Sequence, residues 1–285
     1  TRDSAIMRSA LHASRALGRP VMVHCEDEAL ATGSMHEGEV SRRLGVSGIP
    51  AEAEEIVIAR DLMLARLTGG WLHVCHVTTG RGADLVRRAK AEGTRVTAEV
   101  TPHHLVMSDR WVEGLRVLHQ TDEPDGSGGE RADPNTKVNP PLRPVSDAEA
   151  MLTALRDGTC DVVATDHAPH AAPEKGETGF GAAAFGMSGF ELALPLMLAL
   201  VRAGHLSWPD LVERMSRRPA ALWGLPAGAL REGAVADVVV IDSEERWVVS
   251  AETLRTKSAN TPLLGMELRG RARLTLVGGE ARHGG

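Results

Sequence analysis

Three apolar runs in this chain stop abruptly at a histidine or an acid, and each lies between segments with helical spacing. Asp161-Val162-Val163-Ala164-Thr165-Asp166-His167-Ala168-Pro169-His170 is the sharpest case: Val162 to Ala164 runs up to Asp166, and two histidines and a proline follow. Pro20-Val21-Met22-Val23-His24 and Trp71-Leu72-His73-Val74-Cys75-His76 end the same way, and Arg95-Val96-Thr97-Ala98-Glu99-Val100 leads into Thr101-Pro102-His103-His104. An apolar run of this length bounded by turn signals reads as a buried strand. Parallel strands of an α/β barrel bring their C-terminal ends to one mouth, where such folds keep their chemistry. Imidazole and carboxylate gathered there suit Zn²⁺ or a similar borderline metal. Each run taken alone stays open to a plainer reading, in which Asp166 caps a turn, His167 and His170 are exposed, and a strand-end histidine is simply packed.

The spacing predicts strands over 20–24, 71–75, 95–99 and 161–165, and helices over 3–17, 50–67, 80–92, 146–156, 187–203 and 207–217. Strand alternating with helix is the signature of βαβ units and a parallel sheet. Gln120 to Lys137 breaks the rhythm with a dense run of Asp, Gly, Pro and Ser and reads as a loop. Leading directly into Asn139, it is either a lid or a solvated insertion. Beyond Pro226 the pattern changes to short β-like runs, Asp237 to Ile241, Trp247 to Val249 and Leu274 to Val277. The expected organisation is therefore an α/β unit over 1–225 and a small β-sandwich appendage over 226–285.

A chain of 285 residues with net charge −6 and pI near 6.1 offers no electrostatic case for nucleic acid. No apolar run approaches the roughly 18 residues needed to span a bilayer, and Thr1-Arg2-Asp3-Ser4 carries no secretory pattern. Cys25, Cys75 and Cys160 are an odd number beside expected strands, and read as buried free thiols of a reducing, cytoplasmic protein. Side chains alternate along a strand, so Cys25 and Cys75 should point away from the histidines they adjoin.

Taken in order, Val23-His24-Cys25-Glu26-Asp27, Cys75-His76-Val77-Thr78-Thr79, Glu99-Val100-Thr101-Pro102-His103-His104, Lys137-Val138-Asn139-Pro140-Pro141-Leu142-Arg143 and Ala164-Thr165-Asp166-His167-Ala168-Pro169-His170 resemble the class I dihydroorotases of the amidohydrolase superfamily. The resemblance continues through Phe185-Gly186-Met187-Ser188-Gly189-Phe190-Glu191, Gly233-Ala234-Val235-Ala236-Asp237 and Asn260-Thr261-Pro262-Leu263-Leu264-Gly265. Any one block is weak and the ordered set is strong. The Asn-Pro-Pro-Leu-Arg block favours dihydroorotase over hydantoinase and allantoinase.

The resemblance implies a (β/α)8 TIM-like barrel with a small β domain, of which this chain carries the second half of the barrel. The family's His-x-His pair and its bridging Lys or Asp have no counterpart here. His24, His76 and Asp166 would end the fifth, sixth and eighth strands as metal ligands of a two-Zn²⁺ site, the histidines on one ion and Asp166 on the other. Asp166 would also be the catalytic proton shuttle. Asn139, His170 and the backbone of Ala184, Phe185 and Gly186 would bind the substrate. Glu26 and Asp27 are either acceptors that orient His24 or a solvated acid pair, and His103 reads as a supporting or core histidine. The implied reaction interconverts L-dihydroorotate and N-carbamoyl-L-aspartate in pyrimidine synthesis. A small-molecule substrate, a homodimer and an association with aspartate transcarbamoylase complete the expectation. The alternatives are a hydantoinase- or allantoinase-like cyclic amidohydrolase and a non-catalytic structural partner of the transcarbamoylase.

Overall fold

The computed structural model describes residues 3–121, 131–176 and 179–284. Helix α1 (Ser4–Leu17) begins where the Asp3 carboxylate accepts from the backbone N–H of Ala5 and Ile6, and ends at Gly18 in the left-handed region. Four βα repeats follow: β1 (Val21–Val23), α2 (Glu52–Thr68), β2 (Leu72–Val74), α3 (Gly80–Ala91), β3 (Val96–Val100), α4 (Val145–Arg156), β4 (Val162–Val163) and α5 (Phe190–Arg202). The strands form one parallel sheet in the order β1-β2-β3-β4, with Val21 opposite Leu72, Leu72 opposite Val96 and Glu99 opposite Val162. This is a barrel wall of four strands, and the expected α/β class and strand order hold.

Alternation divides the two faces. Leu72, Val74, Val96, Ala98 and Val100 join Ile58, Leu62, Val86, Met151 and Leu155 of the helices in a single apolar core. On the opposite face, His73 reaches Thr97 Oγ1 through Nδ1 at 2.8 Å and Glu99 Oε2 through Nε2 at 2.9 Å. Trp71 Nε1–H donates to the same Thr97 oxygen at 2.9 Å. The Thr97 proton is then available to His73 Nδ1, and the His73 Nε2–H donates to Glu99. Trp223, at the end of the helix Arg218–Trp223, lies over this network, 5.1 Å from the His73 ring and 6.1 Å from Trp71. The two indoles mark the N-terminal end of the sheet. The strand-end histidines lie at the other end.

The tail forms an antiparallel sheet of β5 (Val238–Val248), β6 (Glu267–Val277) and β7 (Glu280–His283). The described residues supply this one sheet of the expected sandwich. Helix α5 packs against β6 so closely that a Cβ on Gly270 would stand 2.4 Å from the Leu198 side chain. Trp247 and Leu268 are buried in the same core as the barrel strands.

Several elements differ from expectation. The helix expected over 207–217 is Trp208–Val212, a π-helical turn Glu213–Arg217, and then Arg218–Trp223. A parallel pair of two-residue strands, Met35–His36 with Gly48–Ile49, and the helices Glu39–Leu44 and Pro102–Val106 are additions. They are too short for periodicity to register. Of the loop expected over 120–137, residues 122–130 lie outside the described residues; Pro134–Thr136 is a 3-10 turn capped by Asp133. Among the described residues no helix is long and apolar enough to cross a membrane.

Candidate metal centre

His24 follows β1 and His76 lies two residues beyond β2, so the two rings come from the ends of adjacent parallel strands. Their ring nitrogens, His24 Nδ1 and His76 Nε2, stand 3.0 Å apart and the rings meet edge to face at 4.8 Å. Two nitrogens held by one tetrahedral zinc stand about 3.3 Å apart, given bonds of about 2.0–2.1 Å. The facing pair, at 3.0 Å, is close to that spacing. His76 is 8% exposed and its Nδ1 has no hydrogen-bond partner. Burial, then the neighbouring His76 ring, lower the pKa of His24, and Glu26 opposes them. That favours the neutral imidazole a metal needs.

Asp166 stands beyond the end of β4, and its charge reaches the His24 ring. Backbone geometry singles out the same residues. Among the described non-glycine residues, positive φ occurs at His76 (32°), Gln120 (63°), Ala132 (56°) and Asp166 (47°). Such conformations cost about 1–3 kcal/mol each and persist where the surroundings enforce them. Two of the four are the expected ligands. The histidine pair therefore fits a divalent metal, with Asp166 as a carboxylate whose charge reaches it.

Around this pair the expected supporting residues separate. Glu26 Oε2 lies 3.6 Å from His24 Nε2 and accepts from Asn139 Nδ2 at 2.7 Å, so it links a candidate ligand to a candidate substrate residue. Asn139 Oδ1 is buried without a partner. Asp27 instead turns to the Ala29 N–H and caps a local turn. His103 is buried with an unpartnered Nε2, and burial, then the His76 ring, lower its pKa to about 3. His104 is tied to Thr101 Oγ1 and the Pro140 carbonyl. His167 accepts from the Gly189 N–H and stacks on Phe190 at 4.0 Å, a packing role.

His170 and the 184–186 loop do meet: His170 Nε2 contacts the Phe185 carbonyl at 2.8 Å. Gly186 has φ 125°, and a Cβ there would stand 2.4 Å from that of Ala168. Asn260 fastens this region from 90 residues away. Its Nδ2 donates to the carbonyls of Ala168 and Gly186, and its Oδ1 accepts from the His170 N–H and the Ser188 hydroxyl. Neither Asn260 nor Lys175, whose ammonium donates to three carbonyls nearby, was singled out as a site residue from sequence. Both act largely on main-chain groups, which leave no trace in residue identity.

Two thiol expectations divide. Cys25 is buried and free; Cys75 is only half-buried and its thiol meets Glu99. Burial, then the Glu99 charge, push Cys75 up to about 12. The donor atoms of His73, Cys75 and Glu99 all lie within 4.8 Å of one another. Both His73 nitrogens are already engaged, so the cluster is a completed hydrogen-bond network.

A parallel α/β barrel wall with imidazole and carboxylate side chains at its C-terminal strand ends is the frame on which barrel enzymes carry their sites. The chain belongs to the amidohydrolase family, which residues 3–282 match. Dihydroorotase of Anaeromyxobacter dehalogenans (strain 2CP-1 / ATCC BAA-258) is 46% identical over 282 residues, 99% of this chain. Dihydroorotase of Pelobacter propionicus (strain DSM 2379 / NBRC 103807 / OttBd1) is 44% identical over 278 residues. The chain spans 61% of the length of each of these relatives. Among solved structures, L-hydantoinase (dihydropyrimidinase) from Arthrobacter aurescens superposes with TM-score 0.83 at 26% identity, over 99% of this chain and 61% of that one. D-hydantoinase from Thermus sp. gives 0.82 at 25%, over 99% and 60%.

Proposed function

We propose that this chain is the metal-binding and substrate-orienting part of a dihydroorotase, which interconverts L-dihydroorotate and N-carbamoyl-L-aspartate. The observation that carries the chemistry is the His24–His76 pair, two ring nitrogens 3.0 Å apart at adjacent strand ends. The choice of substrate is supported by relatives named dihydroorotase at 44–46% identity, against hydantoinases at 25–26%.

A divalent ion, with zinc the best match to this donor set, would supply Lewis acidity and lower the pKa of water to roughly 7. His24 and His76 would hold one ion and Asp166 would face a second. The Asp166 carboxylate accepts the proton of the attacking water and delivers it to the departing ring nitrogen. His170 and Asn139 orient the substrate's carboxylate side, with the 184–186 backbone alongside. Glu26, bonded to Asn139 and next to His24, keeps these two parts in register. The same reading carries a place in pyrimidine synthesis, a cytosolic homodimer and aspartate transcarbamoylase as a partner.

The test is dihydroorotate hydrolysis by the purified full-length protein, with metal counted on the same sample. Turnover with about two metals per chain is expected. Turnover of hydantoins instead would move the assignment to that class. No turnover and no metal would leave the structural-partner role.

A further inference from the structure

Lys175 is 3% exposed, and among the described residues no carboxylate lies in hydrogen-bond reach of its ammonium. It donates instead to three backbone carbonyls, Ala184 at 2.8 Å, Gly186 at 2.9 Å and Lys137 at 3.2 Å. These carbonyls belong to two separate segments. Ala184 and Gly186 flank Phe185, whose own carbonyl is taken by His170; Lys137 lies two residues before Asn139. The segments are also stitched directly, by the Gly186 N–H to the Lys137 carbonyl at 2.8 Å. Lys137 adds its ammonium to the Gly181 carbonyl at 2.6 Å and lies 4.3 Å from the centre of the Phe185 ring.

A buried cation without a counter-ion is costly and is retained where several dipoles converge on it. An apolar side chain of similar length would fill the volume without drawing three carbonyls to one point. We infer that Lys175 is a positioning residue that fixes the substrate-facing backbone of residues 184–186 to the segment carrying Asn139. The inference rests on the dihydroorotase reading of those two segments as substrate-binding.

Among the described residues the charged groups facing Lys175 are Asp133 and Lys137, and the Glu174 carboxylate is turned instead to the Ala171 N–H and the His170 ring. Burial lowers Lys175 to about 8, with Asp133 opposing and Lys137 adding to the shift. Loss of its proton removes the charge that gathers the three carbonyls.

The experiment uses the full-length protein and Lys175→Met, Lys175→Gln and Lys175→Arg. Amide hydrogen exchange reads the loop without any reference to catalysis. In Lys175→Met, protection at Ala184 and Gly186 is expected to fall roughly tenfold while α5 is unchanged, the scale of losing a charge-assisted bond. KM for dihydroorotate should rise by a similar factor with kcat within about threefold. In the wild type KM should also climb above about pH 8, and Lys175→Arg, which stays charged, should remove that climb. Should Lys175→Met not fold, Lys175→Gln, which keeps donors without charge, must show the same loss of protection. Unchanged exchange at Ala184 and Gly186, or a parallel fall of kcat and of α5 protection, overturns the inference. If the wild type does not turn over dihydroorotate, the functional reading fails and the exchange measurement still decides the role of Lys175.

Discussion

His76 and Asp166 hold backbone conformations that only glycine adopts freely, and both are the residues expected to meet a metal. Asp166 is the strand-end carboxylate proposed for proton transfer; Glu26, equally far beyond β1, is engaged by Asn139. Asp166→Asn should lower kcat by about 10²–10⁴-fold while far-UV circular dichroism is unchanged. A variant with near-normal kcat would refute the shuttle. His170→Ala should raise KM for dihydroorotate by about tenfold or more, yet leave any hydantoin activity nearly intact, because only the former substrate brings a ring carboxylate. Equal losses on both substrates would make His170 a structural residue. At this scale the meeting of His24 and His76 was legible, because adjacent parallel strands carry their end residues to one place. Lys175 and Asn260 were not, because a side chain that serves backbone carbonyls looks like any surface polar residue until the chain is folded.

The elements are tied together by a buried ion pair that the pattern of apolar residues does not reveal. Arg143, 3% exposed, meets Glu54 of α2 at 3.2 Å and donates to Thr78 Oγ1 and toward His36 Nδ1. Glu54 in turn accepts from the Thr78 N–H at 2.8 Å. Glu54→Ala would leave the guanidinium buried and unpaired, and should cost about 3–5 kcal/mol in urea denaturation. A cost below 1 kcal/mol would mean that water reaches the pair. His36 follows from the same contact. Burial and the Arg143 charge lower it to about 4, so the folded protein keeps it neutral where the unfolded chain, near 6.5, is already protonated. The unfolded state then binds more protons, and stability should fall as pH drops from about 6.5 to about 4, by up to roughly 1.4 kcal/mol per pH unit. His36→Asn should flatten that slope, and an unchanged slope would assign it to other groups. The helices α2, α3 and α5 could be read from sequence because each repeats its period, and the four strands because each lies in an apolar run bounded by turn signals. Met35–His36 and Gly48–Ile49 could not, since two residues carry no period, and the tail's runs merged into long strands because hydrogen bonding continues through polar positions such as Asp242.

For the whole molecule the decisive fact is that the parallel sheet has two ends. Among the described residues β1 pairs only with β2 and β4 only with β3, and Met22 on the outer strand is 54% exposed. Open strand edges are templates for further pairing. This segment expressed alone should therefore associate, eluting as oligomers in size-exclusion chromatography with light scattering, and a stable monomer at micromolar concentration would contradict the exposed-edge view. The parallel sheet was legible from the alternation of strands and helices, and the barrel from the family resemblance. The shared core between α5 and β6 was not, because it depends on a close approach at Gly270 that no local pattern announces.

The far end of the sheet has an optical consequence. The chain contains five tryptophans and no tyrosine, so its near-ultraviolet emission belongs to indole alone. Trp223 lies against the His73 ring and Trp71 shares the Thr97 hydroxyl with it, while Arg95 covers Trp71 at 4.8 Å. The share of that emission from Trp71 and Trp223, two of the five indoles, therefore reports on the hydrogen bonding of a buried imidazole at the opposite end of the sheet from His24 and His76. Any disturbance of the lumen network between them can be followed as a change in colour and intensity, with no label attached.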